Sequence, residues 1–124
     1  MPDARSPCAP RQLLLIEDDA KVRRSLHLLL QSEGYEVRSF AGVRALLAEA
    51  GARAAPYLVT DYRLSDGDGI GVLETLRGGG WQGRAVLITG FATDMLRQAA
   101  TKCGFHCIVE KPFRNHELLH ALAG

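Results

Sequence analysis

Short apolar runs alternate with amphipathic stretches along the chain from Leu13 onward. Leu13-Leu14-Leu15-Ile16 is a continuous apolar run of strand length, the pattern of a strand buried on both faces. Asp19 can then cap a helix whose apolar positions Val22, Leu26, Leu29 and Leu30 recur at helical spacing, and Gly34 closes it. Residues 37–40 predict a second, more polar strand, and residues 43–50 a second helix ended by Gly51. Tyr57-Leu58-Val59-Thr60 predicts a third strand running into Asp61. Beyond the polar loop Ser65-Asp66-Gly67-Asp68-Gly69, a third helix carries Ile70, Val72, Leu73 and Leu76. Residues 85–88 predict the fourth strand, 93–102 the fourth helix, 107–109 the fifth strand and 115–123 the fifth helix. Five successive strand-then-helix units predict an α/β fold, with a parallel five-stranded sheet between two helical layers. Residues 1–11 hold three prolines and no periodicity, so they are expected to be a disordered leader to one domain spanning 12–124.

Composition narrows the function classes. At 124 residues, with 47% hydrophobic and 23% charged, the chain suits one globular domain with a real core. A net charge of +1 gives no electrostatic footprint for nucleic acid or for a membrane surface. No apolar run approaches the roughly 18–20 residues of a membrane span. The first residues lack the hydrophobic stretch of a signal peptide, so a cytoplasmic protein is expected. Cys8, Cys103 and Cys107 are odd in number and lack CxxC spacing, which argues against a disulfide framework. Cys8 falls in the leader, and Cys103 and Cys107 are expected to fill core space.

The chemistry gathers at strand ends. In an open parallel sheet the ligand site lies beyond the carboxyl ends of the strands, near the switch in strand order. Glu17 and Asp18 follow the first predicted strand, Asp61 ends the third, Thr89 ends the fourth and Lys111 follows the fifth. Three carboxylates on one edge repel one another unless a cation sits among them. Magnesium suits such a site, since it takes oxygen ligands from one or two carboxylates and keeps several waters (manganese can substitute). Lys111 offers a compact cation for an anionic oxygen and Thr89 a hydroxyl that can donate to one. Carboxylates, a metal and a donor pair are the parts of a phosphoryl transfer in which a carboxylate attacks in line. Asp61, between the acidic pair and the Thr/Lys pair, is the expected nucleophile, with an acyl phosphate as product.

Residues 13–19 (LLLIEDD), 58–69 (LVTDYRLSDGDG), Ile88-Thr89 and Glu110-Lys111-Pro112-Phe113 together resemble the receiver domain of two-component response regulators. The likeness covers the chain from Arg11 to Leu122. It implies a flavodoxin-like (βα)5 fold with strand order 2-1-3-4-5. It also implies Mg²⁺-dependent transfer of a phosphoryl group to Asp61 from the histidine of a kinase or phosphotransfer protein. Asp18 would bind the metal directly, Glu17 through water, and the backbone carbonyl of Arg63 would complete the protein ligands. Thr89 and Lys111 would contact the phosphoryl group, and the Lys111–Pro112 bond would be cis. The output would be a shift of the face made by the fourth helix, fifth strand and fifth helix, around Met95, Phe105, Ile108 and Arg114. That face would meet an effector, an output domain or a second copy of the chain.

Some positions depart from the family pattern. Receivers usually carry Tyr or Phe three residues before the lysine, where Ile108 stands here, so a rotating aromatic handle is missing. Ser65 replaces a common proline, which predicts a looser loop after Asp61. Arg63 and Phe91, each two residues beyond a phosphoryl-contacting position, occupy sites that tune hydrolysis in the family. Their bulk predicts slow self-dephosphorylation. A rival of the same fold is an interaction module that works without phosphorylation, which Ile108 favours.

Other motifs carry less. His116-Glu117-Leu118-Leu119-His120 matches HExxH, the pattern of a zinc hydrolase, but only Ala-Leu-Ala-Gly follows and no third ligand is at hand. Gly78-Gly79-Gly80-Trp81-Gln82-Gly83 matches GxGxxG yet follows a helix and precedes a strand, so a flexible turn is expected. Asp66-Gly67-Asp68-Gly69 lacks the closing glutamate of a calcium loop, because Arg77 stands there. Arg23-Arg24 on the first helix is a solvated face or, by the resemblance, part of the surface that meets the kinase.

Overall fold

The alternating seeds become five parallel strands flanked by five helices in a computed structural model that describes residues 11–124. In chain order these are β1 (Arg11–Ile16), α1 (Ala20–Ser32), β2 (Tyr35–Phe40), α2 (Val43–Leu47) and β3 (Tyr57–Asp61). There follow α3 (Gly69–Gly78), β4 (Arg84–Thr89), α4 (Asp94–Cys103), β5 (Cys107–Glu110) and α5 (Asn115–Ala123). The sheet order is β2-β1-β3-β4-β5 and every pairing in it is parallel. The chain moves outward from β1 to β2 and then returns across β1 to β3. The order therefore reverses beside the carboxyl ends of β1 and β3, where a crevice opens.

Both faces of the sheet are covered, which is why its strands are apolar throughout rather than alternating. Strand geometry sends successive side chains to opposite faces. Leu14, Ile16, Leu58 and Leu87 pack with Leu46 of α2, Leu73 and Leu76 of α3 and Leu96 of α4. Leu13, Leu15, Val59 and Val86 pack on the other side with Leu26 and Leu30 of α1 and Leu118 and Leu122 of α5.

Helix starts follow from side-chain caps that take up otherwise orphaned N–H groups. Asp19 accepts from Lys21 N and Val22 N, Asp68 from Gly71 N, and Thr93 from Leu96 N. α2 begins at Gly42, which has no side chain to offer. Asp66, far along the chain, supplies the cap instead, accepting from Val43 N at 2.8 Å and Arg44 N at 3.0 Å.

Several expectations change. Arg11, placed in the leader, belongs to β1 and pairs with Tyr35, while residues 1–10, including Cys8, lie outside the described residues. The second helix stops at Leu47 rather than residue 50, because the chain turns through Gly51 (φ 81°) and a 3-10 turn, Ala52–Ala54, to bury Ala52 and Ala55. The loop after Asp61 is pinned, not loose. It forms a hairpin of Arg63–Leu64 with Gly67–Asp68, and Asp66 ties it to α2. Phe105, expected on the docking face, is buried beside Leu96 and Ala100. The glycine-rich turn before β4 is anchored by Trp81, which is buried and donates its indole N–H to Ala55 O at 2.7 Å. Arg77 braces the same turn by donating to the carbonyls of Trp81, Gly83 and Gly104.

Candidate functional site

The reversal in strand order sets the end of β1 beside the end of β3. Glu17, one residue past β1, is only 2% exposed, and its N–H donates to Phe40 O on β2. Its Oε2 accepts from Asp19 N at 3.0 Å, and Arg23 of α1 donates to its backbone carbonyl at 2.8 Å. Asp18 is exposed beside it. Asp61, the last residue of β3, is 8% exposed, and its Oδ1 accepts from Tyr62 N at 3.0 Å. Gly69 at the start of α3 leaves room for this corner: a Cβ there would stand 2.8 Å from Asp61 O and 2.7 Å from Leu87 Cδ1.

One carboxylate oxygen from each of Glu17, Asp18 and Asp61 lies within 4.8 Å of the others. Lys111 reaches in from the end of β5, with Nζ 3.1 Å from Asp61 Oδ2 and 3.5 Å from Glu17 Oε1. Burial pushes the Glu17 carboxyl above its ordinary value and the charge of Asp61 adds to this, while the Asp19 N–H and Lys111 pull the other way. For Lys111, burial alone would lower the ammonium's pKa, but Asp61 and Glu17 outweigh it and hold the value up. A single ammonium does not balance three carboxylates. The donor set is all oxygen, closely spaced and partly open to water, which fits a small hard dication.

The Lys111 N–H donates to Thr89 O at 2.8 Å, and the Lys111–Pro112 peptide bond is cis. Thr89 is 4% exposed and its hydroxyl lies 3.3 Å from both the N and the O of Phe91. Asp61, Arg63, Thr89, Phe91 and Lys111 line one cleft. The Phe91 ring is 74% exposed at its rim.

Among the residues singled out from sequence, Glu17, Asp18, Asp61 and Lys111 thus meet directly. Thr89, Arg63 and Phe91 share the cleft. Ile108 does not line it; that side chain is half-buried against the layer of α2, α3 and α4. His116 and His120 lie exposed on α5, beside a separate groove that Cys107 also lines. Two residues given no role in the site by the sequence bear on it. Arg23 braces the carbonyl of Glu17, and Glu110 grips the segment after Thr89 through Ala92 N and Arg97. A charge next to Lys111 was a visible signal for Glu110, but its partners follow from the pairing of Thr89 with Glu110 across β4 and β5.

Known proteins resemble this chain in sequence and in fold. The family model for the response regulator receiver domain matches residues 13–123. The chain is 35% identical over 114 residues to the photosynthetic apparatus regulatory protein RegA of Cereibacter sphaeroides, covering 92% of this chain and 62% of that protein. It is 31% identical over 112 residues to the acid tolerance regulatory protein ActR of Rhizobium meliloti, covering 90% of this chain and 58% of the relative. It therefore spans about three-fifths of the length of these curated relatives. Among solved structures, FixJ-N superposes with a TM-score of 0.81 at 27% identity, covering 94% of this chain and 93% of the other. The chemotaxis protein CheY4 of Vibrio cholerae shares the fold with a TM-score of 0.86 at 23% identity, covering 93% of this chain and 98% of that one. Among the described residues no helix is long and apolar enough to cross a membrane. The strand order, the acidic cluster at the switch point and these likenesses agree: the chain belongs to the response regulator receiver domain family of two-component signalling.

Proposed function

We propose that Asp61 accepts a phosphoryl group from a phosphohistidine on a partner kinase or phosphotransfer protein, with Mg²⁺ as the cofactor. The observation that carries this reading is the approach of Lys111 Nζ to Asp61 Oδ2, 3.1 Å, beside carboxylate oxygens of Glu17 and Asp18. In the transfer, a carboxylate oxygen of Asp61 forms a bond to phosphorus as the donor's N–P bond breaks. The electron pair stays on the imidazole nitrogen, which takes up a proton from water. The product is an acyl phosphate.

Each residue has a task that follows from its chemistry. Asp18, Asp61 and the backbone carbonyl of Arg63 would hold the metal, with Glu17 acting through water. When bound, the cation neutralises negative charge on the phosphoryl oxygens and orients them. The Lys111 ammonium, already beside the acceptor, pairs with a phosphoryl oxygen as charge builds there. Thr89 turns its hydroxyl from Phe91 to donate to another. Phosphorylation replaces the single charge of the Asp61 carboxylate with the roughly −1.5 to −2 charges of a phosphoryl group, carried further out from the sheet edge. Drawing Thr89 and Lys111 toward that charge moves the ends of β4 and β5, and with them the face of α4, β5 and α5, which an effector, an output domain or a second copy would read.

The test is direct. Incubation with acetyl phosphate and MgCl₂ should add the mass of one phosphoryl group, and Asp61→Asn should abolish the gain. A wild-type chain that stays unmodified, or an Asp61→Asn chain that still gains the group, overturns the reading.

A further inference from the structure

The Thr89 hydroxyl has a single proton to donate. In this structure its nearest backbone acceptor is Phe91 O at 3.3 Å, while Phe91 N donates back to the same hydroxyl at 3.3 Å. Both bonds are long and therefore weak. The residue after Phe91 is tied to the neighbouring strand. Glu110 pairs with Thr89 in the β4–β5 register and uses both carboxylate oxygens on the segment that follows Thr89. Its Oε2 accepts from Ala92 N at 3.2 Å, and its Oε1 takes Arg97 Nη2 of α4 at 2.7 Å. One side chain thus ties β5 to the 90–92 segment and to the first turns of α4. Ile108, two residues earlier on the same strand, is aliphatic and cannot provide a polar tie of this kind.

We propose that Glu110 is a positioning residue for the phosphoryl cleft. By gripping Ala92 and Arg97 it holds the 90–92 segment in the arrangement that occupies the Thr89 hydroxyl, and so sets how readily Thr89 turns to a phosphoryl group on Asp61. This inference rests on the phosphoacceptor reading and adds its control. Thr89 cannot donate to Asp61's phosphoryl group and to Phe91 O with the same proton. Turning it inward abandons the Phe91 contact, and the Glu110 clamp resists the shift of Phe91 and α4 that follows. The clamp is an exposed ion pair plus one hydrogen bond to a main-chain N–H, so its effect is modest and graded.

The experiment uses the whole chain as wild type, Glu110→Gln, Glu110→Ala and the charge-swapped pair Glu110→Arg with Arg97→Glu. Amide hydrogen exchange without metal reads the clamp alone. The Ala92 N–H should exchange faster in Glu110→Ala, while amides in β1 and β3 keep their wild-type protection. Beryllofluoride with MgCl₂, a phosphoryl mimic, reads the coupling through the amide resonances of Thr89 and Ala92. Its half-saturating concentration should fall about three- to tenfold in Glu110→Ala, and by less in Glu110→Gln, which keeps an acceptor oxygen but loses the charge. The charge-swapped pair should move it back toward wild type. Half-saturation in Glu110→Ala equal to or above wild type overturns the inference, as does unchanged Ala92 exchange. If the wild type itself takes no phosphoryl group from acetyl phosphate, the phosphoacceptor reading falls and the inference with it. Phosphorylation at Asp61 with no effect of Glu110 sinks the inference alone.

Discussion

Asp61 presents two oxygens with different partners. Oδ1 accepts from the Tyr62 N–H, and Oδ2 faces Lys111 Nζ. The first bond fixes the rotation of the carboxylate, so the second oxygen is held toward the open cleft. Arg63 and Phe91 both line that cleft with Asp61, a long cation and an exposed ring. Under the proposed phosphoacceptor reading, water attacking an acyl phosphate on Asp61 would meet these side chains. Replacing them together, Arg63→Ala with Phe91→Ala, is expected to shorten the lifetime of the phosphorylated chain several-fold, followed as loss of the phosphoryl mass after the donor is removed. An unchanged lifetime would mean that water reaches Asp61 by another route. Both side chains are exposed, so the pair should leave the unfolding midpoint near that of the wild type.

Helix α2 depends on a residue twenty-odd positions away. It has five residues, too few to hold itself without outside support. Gly42 brings no capping side chain, and a Cβ at that position would stand 2.6 Å from Asp66 Oδ1. The glycine is needed for this space, not for its backbone, which is extended (φ −167°). Asp66→Ala and Gly42→Ala should therefore each lower the urea midpoint, and the double variant should cost less than the two combined, because both remove one contact. Additive losses would show that they act separately. The N–H groups of Arg44 and Val43 hold the Asp66 carboxyl below its ordinary value. A lowered folded pKa stabilises above the unfolded value and loses that contribution as pH falls through the folded one. The gap between wild type and Asp66→Asn should accordingly be present at neutral pH and shrink below about pH 4.

Across the whole molecule, folding gathers negative charge at the end of the sheet in spite of a chain near neutrality. Glu17 and Asp61 are mostly buried, so their repulsion is poorly screened by solvent and is carried by the folded state alone. A cation that binds only the folded chain should relieve it. Magnesium at tenfold its dissociation constant is expected to stabilise by ~1.4 kcal/mol, read as a rise in Tm that EDTA reverses. Asp18→Asn should remove most of that rise, and sodium at matched ionic strength should not reproduce it. A Tm insensitive to magnesium in the wild type would contradict a metal site among these carboxylates.

Much of this was legible in one dimension, and the reason is periodicity. A strand covered on both faces must be apolar throughout, so Leu13-Leu14-Leu15-Ile16 announced β1 with no knowledge of its neighbours. Five such seeds alternating with amphipathic stretches admit few folds. The strand-end rule then pointed to Glu17, Asp18, Asp61, Thr89 and Lys111, whose chemistry depends on residue type and position along the chain. Contacts set by register and by helix placement were not legible. Phe105 and Trp81 are ordinary aromatics in sequence, and only the packing of α4 and the turn before β4 buries them. Asp66 looked like loop polarity until α2 came within its reach, and the hairpin it anchors is tighter than Ser65 suggested. Glu110, quoted in the motif around Lys111, had no visible partner until β4 and β5 paired Thr89 with it and α4 brought Arg97 alongside. Local sequence decided which elements form and which ends carry polar groups, because those depend on neighbours within a few residues. Tertiary structure alone decided which polar groups touch, because hydrogen bonds and ion pairs act over a few ångströms between residues that the chain itself keeps far apart.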